Sequence, residues 1–324
     1  MTRQHLTIGI SAALAAGLMW GLVFVAPLLL PDYPATLLTF GRYLAFGLVT
    51  LPIAWWQRHA LRKLTRADWW MAMKLSLVGN VIYYLALSAA IKLAGAPLPT
   101  LIIGTLPVVI AVCSNLGDRQ FSWARLLPSL LLIGAGLLCV NADQLGRLDA
   151  DGALSAYLFG ALLAIVANAA WTWYPIHNAH WLRAHPSHTS TTWATAQGLT
   201  TLPLAAVGLA VSVAYLKASG DARFVESLWG PQPLKFWLLM VVIGFSASWL
   251  GTLLWNIASK NTPTALTGQL IVFETLSALG YAYLVYVRAP SGFEIAGIAL
   301  LVLGVIVGVR ALSAGTPVAE PPLH

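Results

Sequence analysis

The chain has 324 residues, of which 59% are apolar and only 9% charged, against roughly 45–50% and 25% in a soluble domain. A soluble fold of this length cannot hide so much apolar surface, and the mean hydropathy of +0.77 agrees, so a soluble enzyme, a disordered chain and a nucleic-acid-binding domain are excluded. The net charge of +7 comes from charges scattered between apolar runs, where they act as membrane-topology signals.

A membrane helix needs about 20 apolar residues. Ten stretches qualify, at about 7–30, 34–57, 70–92, 97–116, 124–142, 154–176, 190–215, 235–259, 264–287 and 293–312. The breaks carry loop chemistry, as in Pro31-Asp32-Tyr33-Pro34, Asp118-Arg119-Gln120, Asp143 to Gly152, Lys217 to Pro233 and Asn261-Thr262-Pro263. The first run is longer than a signal h-region and ends in no small-residue cleavage site, so it is expected to stay as a span. Cys113 and Cys139 lie inside apolar runs and imply no disulfide framework. With the N-terminus placed in the cytoplasm, eleven Lys and Arg fall on that side and six on the other, with Arg42 inside a span. The positive-inside rule therefore predicts both termini in the cytoplasm.

The halves repeat. Ala16-Gly17-Leu18-Met19-Trp20 aligns with Ala167-Asn168-Ala169-Ala170-Trp171 at an offset of 151, and so does Thr50-Leu51-Pro52 with Thr201-Leu202-Pro203. Ala90-Ile91-Lys92 aligns with Ala258-Ser259-Lys260 at an offset of 168. A repeat of five spans is odd, so the second copy must lie inverted in the membrane, as in secondary transporters whose site sits between the halves. The expectation is an all-α integral membrane protein of ten transmembrane helices, built as two inverted five-helix repeats at 1–150 and 151–324.

Ten spans in two halves with a Trp in the first span of each, together with Gly41-Arg42-Tyr43-Leu44-Ala45, resemble the drug/metabolite transporter superfamily and its EamA-type repeats. So do the stretches from Tyr84 to Pro107 and from Trp255 to Glu274. The aromatic span interiors look most like the YddG-type aromatic amino acid exporters. The family's frequent Glu-Pro in the ninth span is Glu274-Thr275 here, so no proline hinge is carried over to that point.

Polar groups inside a span need a partner or a water-filled cavity. Arg42 either holds a substrate carboxylate or snorkels outward. Glu274 either meets an ammonium or a proton or holds the bundle together. In the third span Asn80, Tyr83, Tyr84 and Ser88 share one face at helical spacing, and rings with an amide suit an aromatic zwitterion. Asn168, Trp171 and Thr172 in the sixth span, Trp249, Thr252 and Asn256 in the eighth, Gln269 in the ninth and Trp20 in the first complete the substrate-binding set. Trp255 lies equally deep. Trp55, Trp56, Trp69, Trp70 and Trp229 lie at span ends, as in an interfacial belt. The small-residue ladders Gly9, Ala13, Gly17, Gly21 and Gly304, Gly308 suit close helix packing. Pro27, Pro52, Pro107 and Pro203 should break or bend their helices, with Pro107 the most central candidate hinge.

His177, His180, His185 and His188 form two His-x-x-His pairs, but no cysteine lies near them and no carboxylate occurs between Asp151 and Asp221, so a solvated interface segment is preferred to a metal site. There is no His-Glu-x-x-His, no Gly-x-Ser-x-Gly and no P-loop. The reading is thus a carrier and not an enzyme, without cofactor or metal. It would be set in the lipid bilayer of a bacterial inner membrane and export aromatic and other neutral amino acids by alternating access. A carrier of another small metabolite or drug is the alternative, and no nucleic acid is expected as a partner.

Overall fold

The computed structural model describes residues 3–25, 29–94, 97–118, 122–140, 154–225, 227, 229–287 and 289–313. Pro27, the acidic loop from Asp143 to Gly152 and the boundary at 150/151 lie outside them. So do the side chains of Ser88 and Lys92.

In hydrocarbon every backbone N–H and C=O must be satisfied within the segment, which selects helices. The described residues are helical, with no strand. In chain order the main helices are α1 (Arg3–Gly21), α2 (Ala35–Trp56), α3 (Arg66–Ser76), α4 (Tyr83–Ala94), α5 (Pro97–Gly104), α6 (Leu106–Asp118) and α7 (Trp123–Val140). They continue with α8 (Leu154–Ala184), α9 (Ser190–Ala218), α10 (Pro233–Ile243), α11 (Gly251–Asn261), α12 (Thr264–Leu270), α13 (Val272–Tyr286) and α14 (Gly292–Ser313). A π-helical turn at Leu77–Ile82 joins α3 to α4, and another at Gly244–Leu250 joins α10 to α11. Shifted by the sequence offset of 168, the first π turn falls at 245–250, inside the second.

Local chemistry sets several boundaries. Thr65 caps α3 in a capping box with Asp68, and Thr189 caps α9 through the Thr192 N–H. Pro233 begins α10, and α13 ends on Val287 in a left-handed conformation. Pro52 and Pro203 were expected to break or bend their helices; they do not break them, since α2 and α9 run through. In a bundle, neighbouring groups can satisfy the carbonyl that proline frees. The sixth span is longer than its apolar run, because α8 reaches Ala184 and carries His177 and His180 on the helix.

Two rods are interrupted. α5 stops at Gly104 and α6 starts at Leu106, with a tight bond from Thr105 N–H to Ile102 C=O. α12 gives way to α13 at Ile271, whose N–H bonds Gly268 C=O. Pro107, the expected hinge, is the second residue of α6, just past the first interruption. At the second place no proline is present and Ile271 keeps right-handed helical dihedrals, so the rod is tightened for one turn without coming apart.

Helix packing follows a rule of exchange. α1 lies along α11 and α13, while α8 lies along α4 and α5. α2 packs on α9, α6 on α12 and α7 on α14. Replacing each span by the one five places along the chain reproduces these pairings. The helix 1 ladder is used as expected of small residues: a Cβ on Gly17 would come within 3.0 Å of Glu274 N, and one on Gly21 would meet Ser277. Large apolar side chains such as Leu131, Leu158, Leu162, Val207 and Leu238 face outward, where the lipid would be. Among the described residues, six helices are long and apolar enough to cross a membrane, with shorter apolar helices beside them.

Candidate functional site

A continuous run of aromatic rings crosses the middle of the bundle. Trp20 of α1 meets Trp255 of α11 at 5.1 Å between ring centroids and Trp171 of α8 at 5.5 Å. Trp171 is stacked between Tyr83 (4.7 Å) and Tyr174 (5.1 Å). Tyr83 leads to Tyr84 and Tyr84 to Tyr43, each in edge contact. Offset and edge geometries of this kind hold the rings as one body.

Charge sits beside these rings. The Arg42 guanidinium lies over Tyr43 at 5.0 Å and Tyr84 at 5.6 Å, and its Nε donates to Ser248 Oγ at 3.0 Å. Arg42 is buried, so it does not snorkel to the surface. Glu274 stands in the first turn of α13, where the helix dipole favours a carboxylate. It lies within electrostatic reach of Arg42 and of the Tyr43, Tyr83 and Tyr84 hydroxyls. No described residue gives its carboxylate a hydrogen bond, and it forms no ion pair with Arg42. The side chain is half-buried, not sealed. Two further groups are unmatched: the indole N–H groups of Trp171 and Trp255 are buried and find no acceptor among the described residues.

The expected substrate-binding residues divide accordingly. Trp20, Arg42, Tyr83, Tyr84, Trp171 and Glu274 come together with Trp255. Trp249 flanks them, stacked on Phe245 at 5.9 Å and donating to Thr195 Oγ1 at 3.4 Å. Asn168 lies one turn away and donates to Ile102 C=O (2.6 Å) and Thr105 Oγ1 (3.1 Å), so it pins the break between α5 and α6. Three expected residues lie elsewhere. Asn80 sits within the π turn, whose wider i→i+5 winding turns it away from Tyr83 and onto Thr201 Oγ1 at 3.1 Å. Asn256 is fully buried and accepts from Asn178 Nδ2 at 2.9 Å, inside a closed network. Gln269 is fully buried next to Gly308 of α14 and Ser129 of α7.

Tyr43, Tyr174 and Ser248 were not singled out from sequence. Ser248 could have been found by the 168-residue offset, which maps Asn80 onto it. Tyr174 seats against Gly79, where a Cβ would come within 2.4 Å of its ring, and a contact of that kind leaves no local signature in sequence.

A family model described as the EamA-like transporter family matches residues 7–142. Over 307 residues the chain is 48% identical to the inner membrane protein YtfF of Escherichia coli (strain K12), covering 94% of this chain and 95% of that one. The chain belongs to the EamA-like transporter family. It is a multi-pass protein of the inner membrane. A solved crystal structure, described only as that of a protein, superposes with a TM-score of 0.70 at 21% identity, over 95% of this chain and 96% of the other; the fold is shared.

In this EamA-like protein, hydrogen bonds cross-link the end of the bundle that carries Arg58 to Lys74. Asp68 accepts from Thr65 N–H at 2.7 Å and from Trp181 Nε1 at 3.1 Å, and pairs with His188 Nε2 at 2.7 Å. Lys260 donates to the His188 carbonyl and Arg183 to Thr264 Oγ1. The His-x-x-His residues are spent on such contacts: His177 and His185 bond the carbonyls of Trp173 and Trp181. Among the described residues no three of His, Cys, Asp and Glu converge as metal ligands, and the thiols of Cys113 and Cys139 are free.

At the opposite end Tyr33 donates to Trp229 C=O at 2.8 Å and accepts from Gln232 N–H at 2.9 Å. Burial pushes its phenol up, which keeps it a donor. Two hydrogen bonds thus tie the segment before α10 to the start of α2.

Proposed function

We propose that the protein is a secondary transporter that exports aromatic and other neutral amino acids by alternating access. Its ten spans would form two inverted repeats, 1–150 and 151–324, with both termini in the cytoplasm. The observation that carries this reading is one interior site holding two opposite charges out of contact with each other, bordered by rings. A zwitterion needs a cation for its carboxylate and an anion for its ammonium, and an aromatic or apolar side chain fits among Trp20, Trp171, Trp255 and Tyr83. The Trp171 and Trp255 N–H groups add donors for carboxylate oxygens. Support for the repeat comes from the exchange rule of packing, the π turns at matching offset and the two interrupted rods. Interrupted helices beside a midplane site are the usual transporter arrangement.

The test is counterflow in proteoliposomes. Vesicles loaded with phenylalanine should accumulate labelled phenylalanine. Tryptophan, tyrosine and leucine should compete, and glutamate and phosphorylated solutes should not. Preference for a non-amino-acid metabolite or drug in the same panel favours the alternative, a carrier of other small organic solutes. Repeating the panel with a pH gradient separates proton antiport from facilitated diffusion.

A further inference from the structure

Outside the transport site, the outer face where α3 meets α9 carries an open-sided groove of about 740 Å³, lined by Arg66, Ala67, Trp69, Trp70, Met73 and Thr200. Its floor is fixed, because Thr200 Oγ1 lies 2.8 Å from Ser76 Oγ, an inter-helix hydrogen bond. Its walls are indole and thioether, and Arg66, the cation that lines it, is exposed. We propose that this groove binds one anionic phospholipid, with the phosphate on the Arg66 guanidinium and an acyl chain along Trp69, Trp70 and Met73.

Charge complementarity selects the occupant. Arg58, Arg62, Lys63, Arg66 and Lys74 are all exposed within seventeen residues of chain. The carboxylate among them, Asp68, is buried and committed to Thr65, Trp181 and His188, so it does not neutralise the surface. Indoles stand where a membrane interface would be. Trp55, Trp56 and Trp70 are 73%, 86% and 62% exposed, and Arg58 and Lys74 hold their charges over the Trp55 and Trp70 rings at 5.2 and 5.7 Å. An amphipathic ring beside a cation suits the headgroup level of a bilayer, and clustered cations next to a membrane helix attract anionic lipid. A guanidinium binds phosphate through paired N–H donors, and the surrounding cations favour phosphatidylglycerol, which is net negative, over phosphatidylethanolamine, whose ammonium cancels its phosphate charge.

The experiment uses the full chain, delipidated in a nonionic detergent and examined by native mass spectrometry and thermal unfolding. Phosphatidylglycerol should bind one per protein and raise Tm, and phosphatidylethanolamine should bind at least tenfold more weakly. Arg66→Gln should weaken phosphatidylglycerol binding about tenfold, the loss expected for a charge-assisted hydrogen bond, and Trp70→Ala should weaken it severalfold through the lost ring contact with the acyl chain. Both side chains are exposed, so the variants should fold. Lys217→Gln, at an exposed cation elsewhere, should bind as wild type. Equal binding of the two lipids, an equal loss in Lys217→Gln, or a dimer that buries Trp70 in place of lipid would overturn the assignment.

Discussion

Two polar layers lie side by side in the bundle and behave oppositely. In one, Asn178 Oδ1 accepts from Trp193 Nε1 at 2.9 Å and Gln197 Nε2 at 3.2 Å, Asn178 Nδ2 donates to Asn256, and Gln197 Oε1 accepts from Tyr174 at 2.9 Å. Each partner there is answered by another side chain. In the other, around Trp171, Trp255 and Glu274, the two buried indole donors are not answered, and no hydrogen bond from a described residue reaches the half-buried carboxylate. The layers are neighbours, since Trp171 stacks on Tyr174 and Trp255 precedes Asn256. A buried group left without a partner costs free energy, so the closed layer reads as scaffold and the open one as a place kept for a ligand.

Breaking the closed layer should have the largest effect. Asn178→Leu removes one acceptor and one donor and orphans Trp193, Gln197 and Asn256, at about 1–3 kcal/mol for each buried group. Thermal unfolding in detergent should show a large loss of Tm whatever substrate is present. Breaking the open layer should do the reverse. Glu274→Gln keeps shape and removes charge, so Tm should change little while apparent affinity for zwitterionic substrates falls by roughly tenfold or more, the equivalent of about 1.5–3 kcal/mol for a charged hydrogen bond. A variant that still exchanges substrate normally but no longer responds to a pH gradient points instead to proton exchange at Glu274. Trp171→Phe keeps the stack on Tyr83 and Tyr174 and deletes only the N–H. Affinity measured by counterflow should drop severalfold, for about 0.5–1.5 kcal/mol, and wild-type affinity would remove that indole from the site.

The smallest effect belongs to a pair outside both layers. Arg223 hydrogen-bonds Asp221 and holds its carboxyl below the ordinary carboxylate range. A lowered pKa contributes stability above the ordinary value and loses it as pH falls through the lowered one. The pair is exposed and screened, so Asp221→Asn should leave Tm at pH 7 unchanged.

Sequence pattern carried most of the architecture, because a span is announced by a long apolar run and its breaks by charge, Gly and Pro. The observed helices end within a few residues of the expected ones except at two places: the first span, expected to residue 30, has an α-helix that stops at Gly21 and passes into a 3-10 turn at Leu22–Phe24, and α8 continues past Pro175 through a polar stretch that the interface tolerates. The site was only partly legible. Depth alone picked out Arg42, Glu274 and the deep Trp residues. Phase misled at Asn80 and Asn256, since regular i, i+3, i+4 spacing was assumed through segments that wind as π helix or face another polar residue. Satisfaction is invisible in one dimension, so Asn256 looked as available as Glu274.

The π turn before Tyr83 acts as a phase shifter. Each residue of an α-helix advances the side-chain direction by roughly 100°, and a π turn absorbs one extra residue without disturbing the helix on either side. Deleting one residue from Leu77–Ile82, for example Val81, would let α3 and α4 fuse into a regular rod. α4 would then be rotated by about that angle about its own axis. Tyr83 would leave the face of Trp171, and Tyr84 would leave Arg42, while α3 kept its capping box and its hold on His188. A shortened chain with normal Tm, an intact Asp68–His188 contact and no substrate exchange would show that the aromatic site is aimed by this one surplus residue.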